Sequence, residues 1–180
     1  GFSKIIYKLK KKFNYSGLDV SVNMIEAAKK NNKECKFYLY NGKDIPKKLS
    51  NKDLVFSFGT LHHSSHAISI ISQMIKKSNK YVLFDLRFKR NLKNRFFVKN
   101  FQKINFLGKL NKNNQIPYYI LNFEKFKKKI MNITKKKFSI EIYGYKHKPN
   151  KNTITKYKSI IMASILIDKS KSFKLVSKII

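Results

Sequence analysis

The strongest constraint on the fold is a regular alternation of strand-like and helix-like segments in the first half of the chain. Four short apolar segments have strand length: Tyr15 to Val20, Lys36 to Tyr40, Asp53 to Phe58, and Lys80 to Leu86. Helical apolar spacing predicts helices over Phe2 to Phe13, after the N-cap candidate Ser21 up to Asn31-Asn32, and over Ser65 to Lys77. Strands that alternate with helices of this length indicate βαβ units and a parallel sheet.

The pattern changes after Arg87. The apolar positions between Phe88 and Ile104 predict one long amphipathic helix, followed by a loop that contains Gly108 and Asn113-Asn114. A further helix is predicted after the possible cap Asn122. Two β-type runs, Phe138 to Tyr145 and Tyr157 to Ile167, have no helix between them and therefore predict an antiparallel hairpin.

The sequence thus predicts an α/β fold, a doubly wound and mostly parallel sheet with a C-terminal antiparallel hairpin. We expect one domain over residues 1–168, with no internal boundary, and a short C-terminal tail over residues 169–180.

The formal net charge of +32 would ordinarily suggest a nucleic-acid or anionic membrane partner. However, all but three of the 41 basic residues are lysine. Lysine, asparagine and isoleucine share codons made only of A and T, whereas phosphate and base readers favour arginine for its bidentate fork. Coding bias therefore explains the charge better, and a nucleic-acid partner is open but not favoured.

Cysteine content and hydropathy argue against disulfide-rich, zinc-binding and membrane-spanning classes of protein. The single Cys35 excludes a disulfide framework and a cysteine-rich zinc site, and it is compatible with a reducing cytoplasm. No apolar run approaches the roughly 20 residues that span a bilayer.

Chemistry-bearing residues follow the strands, where ligands bind in doubly wound sheets. Asp19 ends the first of these strands, where a carboxylate can accept two hydrogen bonds from ribose hydroxyls or simply cap the next helix. Asp44 follows the second, and it could accept from an exocyclic amine or be an ordinary solvated turn residue.

Two histidines, His62 and His63, follow the third strand, and either could relay a proton near neutral pH. Together with His66 their spacing raises the question of a metal site. We expect no metal, because no acid lies in the local run and Ser64-Ser65 looks like a helix start.

Taken in order, four motifs resemble the class I S-adenosylmethionine-dependent methyltransferases. The resemblance covers Gly1 to about Asp85. Its motifs are Gly17 to Ser21 with Met24 to Ala28, Gly42 to Pro46, Asp53 to Ser57 with Leu61 to His63, and Tyr81 to Asp85. That family has a seven-stranded Rossmann-like sheet whose last strand is inserted antiparallel, as the predicted hairpin would allow.

The resemblance implies S-adenosylmethionine as cofactor and a role for each matching residue. Asp19 would hold the ribose hydroxyls and Val20 would pack on the adenine. Asp44 would accept from the adenine amine, with Lys43 and Ile45 beside the ring. Ser57 and Phe58 would line the methionine end, while His63, or as second choice His62, would face the methyl acceptor as catalytic residue.

One part of the family pattern is missing. The first strand and its glycine-rich loop do not occur, and Gly1 looks like the last glycine of that loop. We therefore expect the 180 residues to bind the cofactor weakly, with an interrupted or abnormal sheet between the strands that end at Asp19 and Ser57.

The resemblance predicts methyl transfer to an acceptor, most simply a small molecule, which the sequence does not identify. Residues 88–133 would supply a lid and acceptor specificity, and Tyr118, Tyr119 and Tyr143 are candidates for the acceptor pocket. Two alternatives stay open. A nicotinamide-dependent oxidoreductase would also use an acid after a strand, and a basic nucleic-acid-binding module would explain the charge without catalysis.

Overall fold

The computed structural model describes residues 13–92, 95–106 and 109–180. Gly1 and the helix predicted from Phe2 onward lie outside the described residues. The chain divides into two compact units, residues 1–48 and residues 49–180. The expectation of a single domain without an internal boundary therefore needs correction.

The first unit contains a two-stranded parallel sheet and one helix among its described residues. Strand β1 (Ser16–Asp19) is followed by α1 (Val22–Asn31) and β2 (Lys36–Leu39), and Asp19 is opposite Leu39 in the register. Ser21 caps α1 as predicted, since its side chain accepts a hydrogen bond from the Met24 amide. This strand–helix–strand unit places the residues after β1 and β2 at the same edge.

The second unit is built around a larger sheet. Its elements in chain order are β3 (Lys52–Ser57), a 3-10 turn (Leu61–His63), α2 (Ala67–Lys77), β4 (Ser78–Lys89), β5 (Phe97–Phe106), β6 (Lys109–Asn122), α3 (Phe123–Thr134), β7 (Ser139–His147), β8 (Thr153–Ile154), β9 (Ile160–Asp168) and β10 (Lys174–Ile179). The strand order is β10-β7-β9-β4-β6-β5-β8, and β3 pairs in parallel with β4. Among the described residues, strands β1 and β2 of the first unit form a two-stranded sheet of their own.

The C-terminal hairpin is confirmed. Strand β9 lies between β4 and β7 and is antiparallel to both of them. Around it the sheet is of mixed direction, because β3 and β4 are parallel and β10 is parallel to β7. The family arrangement, in which one strand is inserted antiparallel beside parallel neighbours, is therefore present in this unit.

The long helix predicted from Phe88 to Ile104 is wrong. Phe88 lies in β4, and the residues from Phe97 belong to β5, which pairs antiparallel with β6. Residues four apart, such as Phe97 and Phe101, share one face of a strand as well as one face of a helix. Aromatic residues also favour strands, so the spacing alone did not separate the two structures. The predicted loop at Asn113-Asn114 lies within β6.

The predicted tail over residues 169–180 also needs correction. It contains β10, whose Lys174–Ile179 backbone pairs with residues 139–144 of β7. Half of its residues are exposed and the other half are half-buried, so hydropathy did not distinguish this edge strand from a tail. The strand completes the hydrogen bonding of one side of β7.

An aromatic cluster fixes α3 on the sheet. Phe126 is fully buried and its ring lies 4.9 Å from that of Phe88 and 6.5 Å from that of Phe84. Phe123 also packs on Phe88, at 5.3 Å between ring centroids. The helix begins after Asn122, whose side chain accepts from the Lys125 amide as predicted. Across the described ranges, no helix combines the length and apolar character that crossing a membrane requires.

Candidate functional site

Asp19 and Val20 lie at the carboxyl end of β1, where the sequence placed a ribose and adenine site. Asp19 Oδ1 accepts a hydrogen bond from the Ser21 amide at 2.9 Å, so the carboxylate closes the turn that leads into α1, while Ser21 itself caps the helix. Val20 is 61% exposed. The exposed Val20 side chain therefore offers an apolar surface next to a hydrogen-bond acceptor, the Asp19 carboxylate.

The turn after β2 lies against Val20. Asn41 Oδ1 accepts from the amides of Lys43 and Asp44 at 2.9 and 2.8 Å, and Asn41 Nδ2 donates to Asp44 Oδ2 at 3.1 Å. Gly42 has a φ of +76°, and a Cβ built there would lie 3.3 Å from Val20 Cγ1. The structure therefore brings Asp19, Val20 and this turn together at one edge.

Asn41 and Gly42 hold the turn that forms this edge. A side-chain oxygen that closes an Asx turn and a glycine at positive φ are the usual means of holding such a turn. Burial and the neighbouring Asp19 both raise the pKa of Tyr40, which follows β2 directly. Ile45 is half-buried in the same loop.

In the second unit, Ser57 ends β3 and Phe58 follows it. The Ser57 hydroxyl lies 2.6 Å from the Thr60 hydroxyl, and Phe58 is 39% exposed. Gly59 follows with a φ of +69°. These residues form a short bend that leads into the 3-10 turn.

Asp85 organises this bend from the neighbouring strand. Its Oδ1 accepts from the Gly59 amide at 2.7 Å, and its Oδ2 pairs with Nη1 of Arg87 at 2.7 Å. Both side chains of the pair are largely buried, at 14% and 9% exposure. Strand β4 extends past the predicted end at Leu86 to Lys89. Because residues two apart in a strand share a face, Arg87 lies beside Asp85 on this strand.

His63 is held in one tautomer. Its Nδ1 lies 2.6 Å from the Pro117 carbonyl oxygen, and because a carbonyl can only accept, Nδ1 carries the proton. The Nε2 lone pair is then the basic position of the ring. Burial lowers the pKa of His63 below its ordinary value, although the Pro117 hydrogen bond opposes this, so the ring is neutral near pH 7.

His62 has a different environment. It is only 3% exposed, and its ring contacts those of His63 and Tyr118 at 4.0 and 5.1 Å. Burial, with Arg87 and His63 adding to it, lowers the pKa of His62 to about 2. Its Nδ1 is buried and has no hydrogen-bond partner.

His66 does not join this pair. It is exposed and occupies the N-cap position of α2. Within residues 13–92, 95–106 and 109–180, no three His, Cys, Asp or Glu side chains are grouped as metal ligands.

Two cavities adjoin the segment around the histidines. The larger, about 330 Å³, is mostly apolar and includes Ser64, Phe97 and Tyr119 in its lining. The smaller, about 100 Å³, is polar, and its lining residues are His62, Arg87, Gln102, Tyr118, His147, Pro149, Asn150, Thr153 and Met162. Tyr143, the third tyrosine proposed for the acceptor pocket, lines neither cavity and is 51% exposed on β7.

Sequence reasoning missed Arg87, Gln102, Asn150 and Thr153. Gln102 falls in the predicted helix and Arg87 falls between a predicted strand and that helix, so the sequence prediction did not place either side chain on a face of the sheet. One signal was available: Arg87 is one of only three arginines in a lysine-rich chain, and it stands two residues after a strand-end aspartate.

Comparison with known proteins agrees with this description. A family model described as "Methyltransferase domain" matches residues 1–82, nearly the same stretch in which the motifs were recognised. No curated protein gives a significant match to the chain.

Solved structures with low sequence identity share the fold. The N-terminal domain of EvdMO1, solved with SAH bound, has 9% identity and a TM-score of 0.64, with 93% of this chain and 70% of that chain covered. An S-adenosylmethionine-dependent methyltransferase from Methanosarcina mazei has 13% identity and a TM-score of 0.55, covering 91% and 86%. The [4+2]-cyclase SpnF has 11% identity and a TM-score of 0.57, covering 92% and 70%.

The resemblance seen in the sequence is therefore confirmed. Residues 1–82 are similar to the methyltransferase domain, and the chain has the Rossmann-like fold of the solved methyltransferase structures. At such low sequence identity the similarity shows the fold alone, and it does not identify the methyl acceptor.

Proposed function

We propose that this methyltransferase domain transfers a methyl group from S-adenosylmethionine to a small-molecule acceptor. The observation that carries the proposal is the edge after β1 and β2, where the Asp19 carboxylate, the exposed Val20 side chain and the Asn41–Asp44 turn adjoin. It lies within the residues that match the methyltransferase domain.

The adenosine half of the cofactor fits the residues of this edge. Asp19 would accept hydrogen bonds from the ribose hydroxyls, because a carboxylate has four lone-pair positions and the Ser21 amide takes one of them. Val20 would cover one face of the adenine. Asp44 would accept from the adenine amine, with Lys43 and Ile45 flanking the ring.

The methionine end is assigned to Ser57 and Phe58 after β3. The Ser57 hydroxyl and the exposed ring of Phe58 offer a hydrogen-bonding group and an apolar surface at one strand end. S-adenosylmethionine would supply a methyl group on its sulfonium, and in-line attack by the acceptor would take that methyl group while the thioether SAH leaves. The protein then has mainly to align donor and acceptor.

His63 is the candidate for proton removal. The Pro117 carbonyl holds Nδ1–H, so Nε2 is the atom that would take a proton from an acceptor hydroxyl or amine. Because the pKa of His63 is lowered, this nitrogen is free of a proton at neutral pH. His62 is a weaker candidate, since its pKa near 2 makes it a poor base.

The size of the cavities favours a small-molecule acceptor over a polymer. The larger has the volume typical of sites for small organic ligands, and the smaller has room for a polar group of a few heavy atoms. The positive charge is no argument for nucleic acid, since it is carried almost entirely by lysine.

Calorimetric titration of the full chain with S-adenosylmethionine tests the proposal. We expect saturable binding that Asp19→Ala and Asp44→Asn weaken by tenfold or more, because each removes a charged acceptor. Asp53→Asn, an exposed acid on β3, is the matched control and should change the affinity less than twofold. Equal effects of all three variants, or tighter binding of NAD than of S-adenosylmethionine, would overturn the proposal.

Binding alone does not prove methyl transfer, since the fold also occurs in a [4+2]-cyclase. Release of SAH should therefore be measured over a panel of small hydroxyl, amine and carboxylate compounds. At least one should give SAH above the rate without acceptor, and His63→Ala should lower that rate about 10²–10⁴-fold with little change in cofactor affinity. An unchanged rate would remove His63 from the mechanism.

A further inference from the structure

The small polar cavity beside His62 is not explained by cofactor binding. Its polar lining comes from five segments of the second unit: the 3-10 turn, β4, the β5–β6 hairpin, the end of β7, and the residues around β8. Three of its lining side chains are at least nine-tenths buried: His62 at 3%, Tyr118 at 5% and Arg87 at 8% exposure. Polar groups so far from water need hydrogen-bond partners.

His62 Nδ1 lacks such a partner. An unsatisfied buried polar atom costs about 1–3 kcal/mol, so its presence in a lined cavity indicates a ligand group or water that would satisfy it. A volume of about 100 Å³ has room for a group of a few heavy atoms.

The side chains that line the cavity indicate which kind of ligand group it would bind. The Arg87 guanidinium lies close to the Tyr118 hydroxyl, and both the guanidinium hydrogens and the hydroxyl hydrogen can be donated to a ligand. Burial raises the pKa of Tyr118, so that hydrogen is retained at neutral pH. Gln102 and Asn150 add amide groups and Thr153 adds a hydroxyl.

The arginine is itself positioned. Asp85 holds Nη1 of Arg87, so one side of the guanidinium is fixed and the planar fork has a defined direction. The carboxylate is not among the residues that line the cavity. A polar cavity that combines a fixed, buried guanidinium with the unpartnered His62 nitrogen suits an acceptor-only group such as an oxyanion.

We infer that this cavity binds a carboxylate or phosphate group, and that the methyl acceptor carries that group. The second part rests on the proposed function, because His63 lies 4.0 Å from His62 and 6.0 Å from Tyr118 between ring centroids. An oxyanion held by Arg87 and Tyr118 would therefore bring its molecule close to the His63 ring.

Titration of the full chain with acetate and with inorganic phosphate tests the binding. The NMR signals of the His62 and Tyr118 rings are followed at constant ionic strength, with chloride as the reference anion. At least one of the two probes should give saturable shifts that chloride does not, and the tighter of the two identifies the carboxylate or the phosphate as the natural group.

Variants separate the cavity from general charge effects. Tyr118→Phe removes one hydroxyl and should weaken the better probe about tenfold, and Arg87→Lys should do the same because it keeps the charge but loses the fork. Tyr119→Phe is the matched control, since this neighbouring residue faces the other cavity. It should change the affinity less than twofold.

Shifts equal to those with chloride, or equal losses in Tyr118→Phe and Tyr119→Phe, would overturn the inference. Affinity for S-adenosylmethionine is measured on the same variants. Failure of anion binding with intact cofactor binding refutes this inference alone, whereas failure of cofactor binding in the unmodified chain refutes the proposed function.

Discussion

Removal of the Asp85 carboxylate should destabilise the second unit by about 3–5 kcal/mol, because it leaves the buried Arg87 guanidinium without its partner. The pair is 14% and 9% exposed, with 2.7 Å between Oδ2 and Nη1. Asp85 also accepts from the Gly59 amide, and a hydrogen bond to a charged group contributes about 1.5–3 kcal/mol. Asp85→Ala should therefore fall at the upper end of the range.

A double-mutant cycle isolates the pair itself. Arg87→Met leaves the carboxylate with its Gly59 contact and fills the space with an apolar chain, so its cost should be smaller, about 2–4 kcal/mol. In the double variant neither charge remains buried alone. Its cost should fall short of the sum by at least about 1.5 kcal/mol, within the range measured for contacting residues.

Urea unfolding followed by circular dichroism measures all three variants. The exposed i,i+3 pair Glu124–Lys127, at 56% and 22% exposure, is the control cycle and should give a coupling below about 0.5 kcal/mol. If the Asp85–Arg87 cycle were additive within 0.5 kcal/mol, or Asp85→Ala cost less than about 1 kcal/mol, the organising role argued for Asp85 would be refuted.

Gly42→Ala should lower the free energy of unfolding by about 1 kcal/mol, because Gly42 has positive φ and its Cβ would press on Val20; thermal unfolding should show a smaller loss for Gly42→Asn, and the reverse order would contradict this. Phe126→Ala should cost about 3–5 kcal/mol in urea unfolding since Phe126 is fully buried, whereas Phe173→Ala, at 37% exposure, should cost less than about 1 kcal/mol; similar losses would be inconsistent with the packing of α3. The folded-state pKa of His62 is lowered to about 2, while the unfolded chain takes up that proton near pH 6.5, so stability should fall as the pH drops below about 6.5, by up to about 1.4 kcal/mol per pH unit. His62→Leu should reduce that slope, and an unchanged slope measured by urea unfolding at several pH values would argue against the buried neutral ring.

Local signals predicted the first unit and the hairpin well. Ser21, Asn122 and the turn at Asn41-Gly42 act through side chains or φ angles close in sequence, so their roles can be read from short segments. The antiparallel pairing of β7 with β9 followed from the lack of a helix between two apolar runs.

The middle of the chain could not be predicted in the same way. The four-residue spacing of Phe97 and Phe101 fits either a helix or a strand, and pairing with β6 decided between them. That pairing is a long-range contact. The polar cavity could not be predicted for the same reason, because it depends on long-range contacts. Its lining residues come together only once β4 and β6 are paired in the sheet, among them His62, Arg87, Tyr118 and Asn150.

The edge formed after β1 and β2 is the central element of the functional account, and NMR titration of the ¹⁵N-labelled full chain with S-adenosylmethionine tests it most directly. The account predicts that the Val20 and Gly42 amides shift with a common dissociation constant, that Asp19→Ala weakens this binding by tenfold or more, and that NAD does not reproduce the shifts. Shifts that avoid both amides, or that NAD produces equally, would contradict it.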